Sequence, residues 1–464
     1  MKIPNKVLMI FLSCLGCFMH PQKAMAKTPA DNLEQRIDWV LDKAKIKQNN
    51  IGLYMFNEQQ VLYTKHAHKT LNPASAIKIL VTAAALEHWG QAHEFSTKLW
   101  LNKGQLCIKG GLDPYFVSEN LWLLGQMLRR ESINKIQSLI IDNSDLSVQH
   151  GLKKNFSGDA HRAFVAPQSA LALNFNSLTV HVYPAVAKGQ QATVLIDPDL
   201  PEDAYHLNAQ VNTVNSAGKK SIVMQVSYDE KKQRLNINVN GVIGINEKHR
   251  TLYGSVSQPE FYFAQALKNM LAKENLLATK QVFDVQYKPC ATMGTALEFK
   301  SKPLTHIVWG MNKYSNNFMA EMLSYALAKD GVDLNDWLKK NKGPLKDAVV
   351  LNKASGLSRQ TEISAHDLAQ LFFVSAQHPV YGTEFLHAMS VAGQDGTLRN
   401  RFKSKAMFGK IRAKSGTLNN VTALVGQANT KKYGAVYFAF LWNDTGQSGW
   451  HLRDLEEKIL AELF

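Results

Sequence analysis

Apolar residues at Leu33, Ile37, Val40 and Leu41 follow a helical period and predict a helix within 28–46. The period then shortens. Ile51 to Phe56 reads as a strand, and Gln60 to Tyr63 as its hairpin partner across Asn57-Glu58. After Pro73 the chain turns apolar at Ile79, Leu80, Ala83, Ala84 and Leu86, which predicts a long buried helix ending near Gly90. Short strand-like runs follow at 96–101, 105–109, 137–141, 177–183, 192–196, 221–228 and 234–242. Turn pairs such as Asp197-Pro198, Ala217-Gly218 and Asn240-Gly241 separate them. One helix, over 117–130, interrupts the series, and another over 259–277 closes it.

From about 285 helices and strands alternate again. Helices are predicted at 304–311, 317–328 and 365–376, then strands at 409–414, 421–428 and 434–442. An amphipathic helix over 450–463 carries Leu452, Leu455, Ile459 and Leu460 on one face. These elements predict an α/β (α+β) fold with an antiparallel sheet between helices. The late strands complete the sheet begun by 51–56. The expected organisation is one domain built from 27–90 and 285–464, with an accessory region of two nested β-rich domains inserted at 91–284. Residues 186–256 are polar and strand-rich, and carry no cluster that looks catalytic.

A chain of 464 residues is long enough for two or three domains, and 45% hydrophobic content supplies their cores. The net charge of +15 fits either a solvated basic surface or attraction to an anionic substrate. No Arg-rich or aromatic-basic tract accompanies it, so nucleic acid is not an expected partner. Lys2 and Lys6, the apolar run Val7 to Met19, and Ala24-Met25-Ala26 read as a signal peptide cleaved after Ala26. The run is too short to span a membrane. Cys14 and Cys17 are poorly placed for a lipoprotein site. Cys107 and Cys290 remain after cleavage, either bonded or as two buried thiols. No His-Glu-x-x-His occurs and His66-x-His68 is isolated, so neither metal nor cofactor is expected.

Ser75 and Lys78 lie one helical turn apart at the start of the buried helix, where a hydroxyl and an amine share a face. This is a nucleophile beside its base. The spacing alone is weak, because Ser132/Lys135 and Ser216/Lys219 repeat it and a helix cap would explain Ser75 equally well. Tyr314-Ser315-Asn316-Asn317 sits between two predicted helices, where a loop can point Ser315 and Asn317 into a cleft. Lys414-Ser415-Gly416-Thr417 is the chain's only Lys-Ser/Thr-Gly triplet with its following hydroxyl, and it lies on the first of the three late strands. Gly416 would let a ligand approach that strand's backbone.

Ser-x-x-Lys, Ser-x-Asn and Lys-Ser/Thr-Gly in this order resemble the motifs of penicillin-binding proteins and serine β-lactamases. The long stretch between Ser75 and Ser315 looks like the class C low-molecular-mass penicillin-binding proteins, peptidase family S13, of the penicillin-binding protein 4 type. Gly111-Leu112-Asp113-Pro114, the segment 139–144, 354–359 and 392–398 resemble that family too. The resemblance implies a transpeptidase-like fold and a periplasmic serine D-Ala-D-Ala carboxypeptidase or endopeptidase. Its partners would be peptidoglycan stem peptides, with β-lactams as covalent inhibitors. Ser75 would be acylated and Lys78 would be its base. The backbone N–H groups of Ser75 and Thr417 would hold the oxyanion, and Ser315 would relay a proton to the leaving amine. Asn317 would bind a substrate amide. Lys414 and Thr417, with Ser415 in place of the commoner threonine, would attract the terminal carboxylate. Asp142 and Arg359 would line the pocket for the stem-peptide side chain. A β-lactamase and an inactive wall-binding protein are the alternatives. The long insertion and the intact motifs argue against each in turn.

Overall fold

Six antiparallel strands organise the computed structural model, in the order 390–391, 411–418, 421–430, 434–443, 51–56 and 61–65. The structure describes residues 32–464, apart from 134, 147–161, 279–282, 292–294, 341–345 and 348. The expected signal peptide therefore lies outside the described residues. The last strand, Gly434–Asn443, pairs with Ile51–Phe56 from the beginning of the chain, so that Ile51 lies opposite Trp442 and Phe56 opposite Tyr437. Ile51–Phe56 is buried along its whole length. Such a strand must be covered on both faces. On one face Leu53, Met55, Phe438, Phe440 and Trp442 pack against the helices Leu33–Lys43 and Gly449–Ala461. On the other, Tyr54, Phe56, Ala439 and Leu441 meet a larger helical layer that includes Lys78–Trp89, Leu304–Lys313, Asn317–Lys329 and Ala365–Ala376. The expected sheet between helices is what forms.

The helix Lys78–Trp89 lies inside that second layer, buried continuously from Lys78 to Leu86. A helix with no polar face has no solvent side to present, and this one is enclosed by its neighbours. Its approach differs from the expected helix start: Ala74–Ile77 form a tight 3-10 turn, and the α-helix begins only at Lys78. Ala74 has φ +45°, and its N–H is held by the Asn72 side chain at 2.9 Å.

The inserted region has its own core, running from Leu99 to Phe299. Its main sheet has the order 284–287, 138–142, 105–109, 96–102 and 297–300, and two three-stranded sheets follow over 177–255. Two strands that the 285 boundary divides from the insert belong to it by hydrogen bonding. Asp284–Tyr287 pairs with Ser138–Asp142, and Leu297–Lys300 pairs with Ser96–Asn102. The strand Tyr205–Val214 is an addition to the expected elements: Tyr205, Leu207, Ala209, Val211 and Thr213 alternate with polar residues along it, and only Val211 and Thr213 are fully buried. Cys107 and Cys290 are joined by a disulfide with Cα atoms 5.8 Å apart, which settles the question the sequence leaves open. No helix among the described residues is long and apolar enough to cross a membrane.

Candidate active site

Two glycines bring three distant segments together. Gly416 packs directly on the turn before the buried helix, where a Cβ would stand 2.4 Å from the Pro73 carbonyl oxygen and 3.0 Å from the Ala76 nitrogen. The sequence suggested that Gly416 makes room for a ligand; what it makes room for is the turn that carries Ser75. Gly356 does the same from the other side, with φ +76° and a hypothetical Cβ 2.0 Å from the Ala74 carbonyl oxygen. Both objections to a side chain act at Gly356, the left-handed backbone and the clash with main chain. Gly356→Ala is expected to destabilise the protein by more than about 2 kcal/mol, read as a lower melting temperature. An unchanged melting temperature would show that this turn and loop are not packed as described.

At the centre of this contact Lys78 Nζ lies 2.8 Å from Ser75 Oγ and donates to Asn317 Oδ1 at 2.7 Å and to the Ser355 carbonyl at 2.5 Å. Ser75 Oγ donates to the same Ser355 carbonyl at 3.1 Å. Glu321 fixes that loop by accepting the Ser355 N–H at 3.0 Å. Lys78 is fully buried. Burial, reinforced by the nearby charge of Lys414, holds its amine well below the usual lysine range, and Glu321 opposes this only in part. Lys414 is also fully buried, and desolvation pushes it down to about 7.

Lys414 Nζ donates to Ser315 Oγ at 2.9 Å and to the Ser415 carbonyl at 2.7 Å. Ser315 holds φ +56°, an uncommon conformation for a non-glycine residue, in the loop between Leu304–Lys313 and the helix starting at Asn317. Asn316 caps that helix by accepting from the Met319 N–H at 3.0 Å. Ser315 thus lies in the loop between the two helices, as expected, and Asn317 opens the second of them. Asn317 and Lys414 both make contacts within the protein. Asn317 spends its carbonyl on Lys78, while its amide nitrogen is 3.3 Å from the Phe164 carbonyl. Lys414, fully buried, reaches Ser315.

Ser75, Ser315, Asn317, Arg359 and Thr417 line one cleft of about 910 Å³, together with Phe164 and Asn352. Thr417 also borders an adjoining pocket of about 620 Å³ that holds Ser415, Thr397, Trp450 and Arg453. There Ser415 Oγ donates to Thr397 Oγ1 at 2.8 Å, and Arg453 donates to Thr417 Oγ1 at 3.2 Å. The sequence reading missed Ser355, Glu321, Thr397 and Arg453. Only the fold brings them here, although Ser355 and Thr397 lie in segments whose likeness to the family was evident.

Asp142 is not among the residues lining this cleft. It is buried at the end of a strand of the insert, and its two carboxylate oxygens accept from the Ser144 N–H at 3.0 Å and the Cys290 N–H at 2.8 Å. The structure gives it the work of holding a turn beside the disulfide. The rival Ser-x-x-Lys pairs are exposed: Ser132 follows a helix end at φ +57°, and Ser216 and Lys219 lie on a loop beyond the strand Tyr205–Val214.

Comparison with known proteins places the chain by sequence and by fold. The chain is 24% identical to a D-alanyl-D-alanine carboxypeptidase of Actinomadura sp. (strain R39), over 85% of this chain and 78% of that one. It is 18% identical to the penicillin-sensitive carboxypeptidase A of Dictyostelium discoideum, over 87% and 83% of the two chains. Among solved structures, penicillin binding protein 4 from Haemophilus influenzae superposes with a TM-score of 0.73 at 19% identity, covering 92% of this chain and 99% of that one. A predatory peptidoglycan endopeptidase from Bdellovibrio bacteriovorus gives a TM-score of 0.52 at 18% identity, with 90% and 92% covered. The family model for the D-Ala-D-Ala carboxypeptidase 3 (S13) family matches residues 33–461, and the chain belongs to that family.

Proposed function

We propose that this serine peptidase hydrolyses D-alanyl-D-alanine stem peptides of peptidoglycan in the periplasm, as a carboxypeptidase or endopeptidase, and that β-lactams inhibit it by acylating the same serine. The observation that carries this reading is the buried Lys78 amine, 2.8 Å from Ser75 Oγ and held toward its neutral form. A neutral amine can take the serine proton as Oγ attacks the carbonyl of the penultimate D-alanine. The backbone N–H groups of Ser75 and Thr417 then receive the oxyanion. Ser315, hydrogen-bonded to Lys414, passes a proton to the departing amine. Water then cleaves the ester and frees Ser75.

The terminal carboxylate would meet the hydroxyls of Ser415 and Thr417, with Arg453 beside Thr417 as the partly exposed cation. Asn317 would present its amide group to the peptide. Arg359, exposed on the rim, would face the stem-peptide side chain. Support also comes from the relatives: two are named as carboxypeptidases, and the H. influenzae protein has been solved in complex with a β-lactam.

Incubation with isolated peptidoglycan fragments tests the reading by mass spectrometry. Loss of one D-alanine from pentapeptides is the expected carboxypeptidase product, and conversion of cross-linked dimers to monomers the endopeptidase product. Neither change, in a preparation that binds penicillin, would overturn it. Rapid turnover of a chromogenic β-lactam without a lasting adduct would favour a β-lactamase instead.

A further inference from the structure

His68, isolated in the sequence, meets two other ligand-bearing side chains in the fold. His68, Asp347 and His366 each offer a donor atom, and these three atoms lie within 4.8 Å of one another. They come from the turn after strand Val61–Lys65, from the segment leading to Val350, and from the first turn of helix Ala365–Ala376. The two imidazoles lie against each other with centroids 4.6 Å apart. His68 Nδ1 is 3.0 Å from Asp347 Oδ2. His366 Nδ1 is 2.7 Å from Oδ1 of the fully buried Asp367. The same carboxylate accepts the N–H groups of Lys346 and Asp347 at 2.9 and 2.8 Å. Asp367 therefore positions two of the three donors together. As the acceptor of His366 Nδ1–H it leaves Nε2 with its lone pair free, the arrangement in which a carboxylate backs a metal-bound imidazole.

We infer that His68, His366 and Asp347 form a binding site for a borderline divalent transition metal, of which Zn²⁺ is the type. Two imidazoles and one carboxylate suit such an ion, with water as a fourth ligand, far better than they suit Mg²⁺ or Ca²⁺. Tetrahedral coordination puts donor atoms about 3.3 Å apart, and the His68 ring, 56% exposed, is free to close the remaining distance. The placement gives the ion a structural use. The strand pair Thr70–Leu71 and Ile363–Ser364 adjoins the site. One arm leads on to Ser75. From the site at Asp347 the chain also reaches Ser355, whose carbonyl receives both Ser75 and Lys78. A bound ion would clip these two arms together upstream of the cleft.

The test uses the mature chain stripped of metal and dialysed against Zn²⁺. One equivalent per chain is expected, together with a higher melting temperature in Zn²⁺. His68→Ala and Asp347→Asn are each expected to weaken that equivalent at least tenfold and to lose the thermal shift. Circular dichroism checks that both variants are folded. Co²⁺ substitution should give the visible absorption of a four-coordinate site in the wild-type chain only. No saturable equivalent in the wild type, or the same affinity and thermal shift in folded variants, would overturn the inference.

Discussion

Ser75→Ala is expected to abolish covalent labelling by a radioactive or fluorescent penicillin, and to lower peptidase turnover by roughly 10³-fold or more. The expectation rests on the contacts of one oxygen. Ser75 Oγ is the hydroxyl held against Lys78 Nζ, and its other neighbour is the Ser355 carbonyl, which accepts and cannot attack. Ser315 is the competing hydroxyl in the cleft, but its partner is Lys414. If the acylation centre were Ser315, Ser75→Ala would still take up one label per chain. Mass measurement of the intact adduct distinguishes the two outcomes directly. The substitution removes one oxygen from a packed turn, so the variant should unfold at a temperature close to that of the parent.

The second large effect concerns Lys414 and is read from pH. As the proposed base Lys78 would act only when neutral, so acylation should be lost as pH falls through its depressed pKa. Two causes set that depression, burial first and the charge of Lys414 second. Lys414→Met removes the second cause while keeping an unbranched chain in the buried space. The Lys78 pKa should then rise, and the acid limb of the acylation profile should move to higher pH. The rate at neutral pH should also fall by roughly 10²-fold or more, because Ser315 loses its hydrogen-bond partner. A fall in rate with an unmoved acid limb would show that Lys414 does not act on the charge of Lys78. Stability follows pH in the same direction. Below the ordinary lysine value of 10.5 the unfolded chain protonates Lys78 while the folded chain resists doing so. The unfolded state therefore binds more protons, and stability rises with pH toward that value. Lys78→Met should remove this part of the pH dependence and raise the melting temperature at neutral pH while ending acylation.

Much of this machinery was legible along the chain because its parts are local. A hydroxyl and an amine one helical turn apart, a Ser-x-Asn loop between two helices, and a lysine within a strand depend only on the period of their own element. The paired late strands were legible for the same reason: turn residues separate three apolar runs, and adjacent strands follow one another in sequence. The strand Tyr205–Val214 escaped notice even though Tyr205, Leu207, Ala209, Val211 and Thr213 alternate with polar residues, because its inward face is only half-buried and carries no run of large apolar residues.

By itself, then, the sequence determined most of the elements, the order of the motifs and the central sheet between helices. Tertiary structure decided which Ser-x-x-Lys pair is buried against a second lysine, and left the other two at the surface. It also set Asp142 in a turn beside the disulfide and brought Ser355, Thr397 and Arg453 to the site. The physical reason is that burial and pKa depend on which distant segments displace water from a group. Here those segments are the Gly356 loop and the Gly416 strand, each without a Cβ where it presses on the turn of Ser75.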